Sequence, residues 1–156
     1  MHDHDFDEIE LLKWPKPLPA AWRLEEAEPA ADFALAFNVT ESGESRGRCQ
    51  SVLAGRSELR DAYPVSAHDQ VISVSDDAAA GSIQLVAEEL MRRDRECRRL
   101  VIAAAEGDVQ EIARAEQAGF RYVIDVDLWD RSVSLLVAEP MWVLEESRNI
   151  DVVPTT

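Results

Sequence analysis

The stretch from Leu100 to Leu128, LVIAAAEGDVQEIARAEQAGFRYVIDVDL, constrains the fold more than any other, because strand, helix, corner and strand follow one another without a break. Leu100 to Ala105 is apolar and too short to cross a membrane, which predicts a strand covered on both faces. Gly107-Asp108 interrupts it, and Asp108 can cap a helix carrying Val109, Ile112 and Ala113 on one face. Gly119 stands where the chain leaves that helix and a left-handed residue is commonly needed. Alternation then predicts a strand with Tyr122, Ile124 and Val126 on one side and Val123, Asp125 and Asp127 on the other.

Upstream, Met1 to Ala20 reads as an arm, because Pro15, Pro17 and Pro19 exclude a regular helix or central strand. Strands are predicted over Ala21 to Glu28, Asp32 to Thr40 and Arg46 to Ala54, with Ser42-Gly43-Glu44 as a turn. Gly55 to His68 reads as a loop with one helical turn before Tyr63-Pro64. Asp69 to Ser75 predicts a further strand, with Ile72 and Val74 on one face and Val71 on the other. Ser82 to Cys97 has the clearest helical period, placing Ile83, Val86, Ala87, Leu90 and Cys97 on its apolar side. Val133 to Val137 makes a last strand, continuing past Pro140 into Met141 to Leu144. The expected organisation is an arm over 1–20, a domain over 21–146 and a tail over 147–156.

A chain of 156 residues with 46% hydrophobic content suits a single globular domain. Its 31 acidic against 16 basic residues, a formal charge of -15, disfavour nonspecific nucleic-acid or anionic-membrane binding and favour a cationic acceptor or basic partner. The same acidity also serves solubility alone. With only Cys49 and Cys97, no disulfide framework is expected. The start MHDHDFDEIE lacks the basic and apolar regions of a signal peptide, which predicts a cytoplasmic protein.

The order from Leu100 to Leu128, ending in Ala118-Gly119-Phe120-Arg121-Tyr122-Val123, resembles the C-terminal half of the GNAT family of acyl-CoA-dependent N-acyltransferases. The resemblance covers residues 69–139. It implies an α/β fold with a mixed, largely antiparallel sheet and two main helices. It also implies an acyl-CoA co-substrate, most simply acetyl-CoA, and an amine acceptor, either a small molecule or a protein. In such a fold the acyl-CoA lies where two parallel strands splay, here Val71, Ile72, Ser73, Val74 and Ser75. Its pyrophosphate rests on first-turn amides of the next helix, here around Ala80, Gly81, Ser82 and Ile83, where free N–H groups and the helix dipole favour an anion.

The chain departs from the family pattern in three places. Ala78 and Ile83 replace two motif positions around Gly81, and Asp76 and Asp77 add negative charge beside the expected phosphates. Ala115 stands four residues before Gly119, where the family often carries a tyrosine that protonates the departing thiolate. Between the first two strands there is room for a turn only, where the family places two helices. Either those helices are lost, or the arm and the loop Gly55 to His68 wall the acceptor site. The departures favour a second reading, a noncatalytic module of the same fold, and a third in which another copy of the chain completes the site.

For an amine-deprotonating base the strand edge offers His68, Asp69, Asp76 and Asp77, and His68 has the most suitable ordinary pKa. No metal site is expected. The terminal His2-Asp3-His4-Asp5 run lacks supporting residues around it. Arg92, Arg93, Arg95, Arg98 and Arg99 suit either CoA phosphates or compensation of a helix dipole.

Overall fold

A computed structural model describes residues 15–140. The strand beyond Pro140, the tail, the terminal His-Asp run and most of the arm lie outside these residues. The elements are β1 (Trp22–Ala27), β2 (Leu35–Glu41), β3 (Glu44–Leu53), β4 (Gln70–Val74), α1 (Ala80–Arg93), β5 (Leu100–Ala105), α2 (Val109–Gln117), β6 (Arg121–Asp127) and β7 (Ser132–Ala138). Among the described residues the strands form one seven-stranded sheet in the order β1-β2-β3-β4-β5-β7-β6. Every neighbouring pair is antiparallel except β4 and β5. This is the mixed, largely antiparallel sheet with two main helices that the resemblance implies.

Alternation along the central strands divides the core into two layers. Leu100, Ile102 and Ala104 of β5 join Ile72, Phe37, Leu136 and the apolar faces of both helices. Val101 and Ala103 face the opposite way, against Val133, Leu135, Val71 and the loop residues Leu59, Ala62 and Tyr63. Strand β5 is thus covered on both faces, as its unbroken apolar sequence requires. Each large aliphatic side chain buried this way contributes roughly 1.5–3 kcal/mol.

Several boundaries and faces differ from expectation. Helix α1 stops at Arg93, because Asp94 is extended and its N–H bonds the Leu90 carbonyl. Cys97 is therefore outside the helix, yet buried beneath it. Asp108 caps α2 by accepting from the Glu111 N–H, but Val109 is 75% exposed, and the inward face is Ile112, Ala115 and the following Ala118. In β6 the register shifts between Tyr122 and Ile124, which oppose the adjacent residues Leu136 and Leu135. This bulge at Val123 puts Tyr122 on the helical face and returns Ile124 and Val126 to the other, so the three do not share a side.

Candidate active site

The pairing of β4 with β5 consists of Gln70 with Leu100 and Val71 with Val101, and ends there. Beyond it the strands diverge, each still held on its outer side, β4 by β3 and β5 by β7. The gap opens into a cleft of about 730 Å³ lined by Val71 to Val74 together with Ile102 and Ala103. Residues that belong to both faces of the sheet line it, so the cleft passes between the strands. Its walls are Ala31 to Ala34 of the β1–β2 turn, Arg56 to Leu59 of the β3–β4 loop, Arg131 of the β6–β7 hairpin and Glu111 of α2. No helix lies between β1 and β2, and the β3–β4 loop does supply a wall.

Two acidic groups in the cleft are held differently. Glu58 forms an ion pair with Arg131 at 2.5 Å. Glu111, in the first turn of α2, has its carboxyl pushed above the usual range by burial and then by the neighbouring Asp108 carboxylate. Asp76 adds to this, and Arg114 opposes it. A partly dry carboxyl among like charges is easier to protonate than one in water.

The loop into α1 is built against a bulge in β3. Asn38 pairs with Arg48 and Thr40 with Ser45, so Arg46 and Gly47 together oppose Val39. Gly47 has φ +107°, and a Cβ there would lie 2.4 Å from the Ala78 Cα. The bulge turns the Arg46 carbonyl toward the start of α1, where it accepts from the Ala79 N–H at 3.0 Å and from the Ser82 hydroxyl. The Ala78 N–H bonds Ser75 O, and the Ser82 N–H bonds Ala79 O. Arg114 Nη1 holds the loop from the other side, donating to the carbonyls of Ser75, Asp76 and Ala78 at 3.0–3.2 Å. The helix N-cap is Ala79, with no side-chain bond, while Asp77 accepts from the Ser75 hydroxyl. The acidic pair therefore does not cap the helix.

Of the residues singled out in sequence, Val71, Ile72, Ser73 and Val74 line the cleft, and Ser75 continues into the loop that Arg114 holds. Ala80, Gly81, Ser82 and Ile83 form the first turn of α1 but are not part of the cleft lining. Ser82 and Ile83 are buried, and the Trp22 indole packs on Gly81, within 2.7 Å of where a Cβ would stand.

His68 precedes β4 at the end opposite the splay, about 20 Å of strand from Val74. Its Nδ1 meets Asp94 at 2.7 Å and its Nε2 meets Glu96 at 3.4 Å. These three offer ligand atoms within 4.8 Å of one another, but a carboxylate at each ring nitrogen suits an imidazolium, whose pKa is raised chiefly by the bond to Asp94. Asp69 is buried and accepts from the Tyr63 hydroxyl and the Ser66 N–H, which ties down the β3–β4 loop.

The arginine cluster lies at the far end of α1, about 20 Å from its N-terminus. Arg92 and Arg93 both bond Glu89, Arg93 also reaches Glu26, and Arg99 donates to Pro64 O. The thiols of Cys49 and Cys97 are pushed up to about 12 by burial, as expected of packing groups. Ala115 is 1% exposed, inside the core beneath both helices. Glu111 was not legible as a cleft-lining residue among 31 acidic side chains. The available signal was its spacing, one helical turn before Ala115 and on the same face.

No family model matches the sequence, and no curated protein matches it. Solved structures do. An aminoglycoside acetyltransferase, AAC(6')-Ib, in complex with coenzyme A superposes with TM-score 0.59 at 19% identity, over 73% of this chain and 70% of that one. The same enzyme in complex with coenzyme A and kanamycin gives the same values of TM-score 0.59, 19% identity, 73% and 70%. An uncharacterized protein from Bacillus halodurans superposes with TM-score 0.58 at 20% identity, over 74% of this chain and 63% of that one. The chain has the GNAT fold.

Proposed function

We propose that this protein is an acyl-CoA-dependent N-acyltransferase, most simply one that transfers acetyl from acetyl-CoA to an amine. The observation that carries the reading is the parting of β4 and β5 after two residue pairs. It leaves facing strand edges, from Ile72 to Val74 and from Ile102 to Ala104, that do not bond each other. An extended ligand rich in amides can pair with such an edge as a strand would. The thioester would lie beside Val71 to Ser75, and the pyrophosphate near the loop that Arg114 holds and the first turn of α1. Similarity in fold to an acetyltransferase whose structures hold coenzyme A and, in one of them, kanamycin supports the same class of co-substrate and an amine acceptor. The acceptor would enter between Ala31 to Ala34 and Arg56 to Leu59. The exposed Asp32 there, together with the acidic balance of the chain, favours a cationic amine.

A second reading, a noncatalytic module of this fold, is favoured by the N-terminal turn of α1. Its amides at Ala79 and Ser82 already bond protein carbonyls, and Trp22 covers Gly81. Calorimetric titration with acetyl-CoA, followed by a transfer assay with polyamine acceptors, separates the two. Saturable binding with transfer is the expected result. Absence of binding removes the acyltransferase reading, and tight binding without transfer to any amine leaves the module.

A further inference from the structure

We propose that Glu111 is the group that moves the proton during transfer in this cleft, taking it from the attacking amine and giving it to the departing sulfur. The inference rests on the acyltransferase reading above. The amine nitrogen bonds the acyl carbon, the carbon–sulfur bond breaks, and its electron pair leaves with the sulfur. The proton released by nitrogen goes to a Glu111 carboxylate oxygen and from there to the thiolate, so Glu111 ends the cycle as it began.

Geometry selects Glu111 over the other charged groups of the cleft. It projects from the first turn of α2 and lines the cleft together with Ile72 to Val74 and Ile102, where β4 and β5 part. Glu58 is engaged by Arg131, Asp32 is exposed on a turn, and Arg56 and Arg131 do not give up protons at working pH. One turn further along the same face lies Ala115, which carries no acid and is shut in the core. The Glu111 carboxyl is hydrogen-bonded to the side chain of Asp108, the helix cap, and the other charged groups around it are Arg114 on its own helix and Asp76 on the loop before α1. Their balance with burial raises its pKa, which brings a carboxyl closer to the working range of a group that must both accept and donate.

The test uses the full chain and its Glu111→Gln variant. The variant is expected to bind acetyl-CoA as the wild type does and to lose roughly 10²–10⁴-fold in kcat, together with the acid limb of its pH profile. A second readout needs no turnover. Ultraviolet absorbance of the thiolate gives the pKa of the thiol of bound CoA, and removing a neighbouring negative charge should lower it. Wild-type transfer by Glu111→Gln with an unchanged thiol pKa would overturn the assignment and leave the acyltransferase reading intact. A wild-type protein that binds no acyl-CoA would overturn both. Glu111→Asp keeps the charge and shortens its reach, so it is expected to bind normally and transfer more slowly. It decides the question if the glutamine variant does not fold, and wild-type transfer by Glu111→Asp would then count against the assignment.

Discussion

His68 is held by two carboxylates at once, and the consequence can be measured without any assay of function. Its pKa is raised chiefly by the hydrogen bond to Asp94, so Asp94→Asn should bring it down toward the ordinary value of about 6.5. A histidine whose folded pKa is raised contributes stability below its unfolded pKa and loses it as pH rises through the folded value. Imidazole NMR titration of the wild type and Asp94→Asn checks this, and superimposable curves would contradict the pairing. A second prediction concerns Ala115, whose environment is core and not cleft. Tyrosine there overpacks the space beneath α1 and α2, so Ala115→Tyr should destabilise by about 1–3 kcal/mol in urea denaturation. An unchanged midpoint would mean that the ring escapes into the cleft. At this scale the sequence was least informative. Residue chemistry singled out His68, but chain position alone does not reveal that it precedes β4 at the end opposite the splay, or that Glu111 lines the cleft.

Among the elements, the bulge in β3 governs how the candidate acyl-CoA loop is set. Gly47 carries φ +107° and a Cβ on it would collide with Ala78, so Gly47→Ala meets backbone strain and collision together. The conformation alone costs roughly 1–3 kcal/mol, and the displaced loop should also weaken any acyl-CoA binding. Chemical denaturation and calorimetry report the two effects separately; wild-type values in both would show that the loop can move away freely. The corner after α2 makes a parallel case. Gly119 has φ +102°, as the sequence leads one to expect of Ala118-Gly119-Phe120, and Gly119→Val should lower the melting temperature markedly. Local signals of this kind were legible: β5 runs from Leu100 to Ala105 as its apolar run indicates, and Asp108 caps α2 as predicted. The end of α1 and the bulge at Val123 were not. Periodicity carries past Arg93 because Cys97 is apolar, although a turn buries it, and a bulge is a property of two paired strands that one strand does not encode. The splay of β4 from β5 was hidden for the same reason. Only the resemblance anticipated it.

For the whole molecule, charge sets a long-range condition on any polyanionic ligand. The chain carries a formal charge of -15, and the loop before α1 presents the exposed carboxylates of Asp76 and Asp77. The nearby Arg114, whose Nη1 serves three loop carbonyls and whose Nε is buried without a partner, offsets only part of that charge, and the arginine cluster stands at the other end of α1. A nucleotide-containing thioester should therefore be held by short-range backbone contacts and opposed by the field of the protein. Salt screens that field over a Debye length of about 8 Å at physiological ionic strength. Acyl-CoA affinity should accordingly rise as salt is raised from about 10 mM to 150 mM, opposite in sign to phosphate binding on a basic surface. Replacing Asp76 and Asp77 with asparagine should tighten binding at low salt and flatten the dependence, because it removes the nearest repulsive charges. Calorimetry at two ionic strengths on both proteins measures the effect. Affinity that falls with salt in the wild type would place the phosphates against basic side chains and away from the loop that Gly47 and Arg114 hold in place.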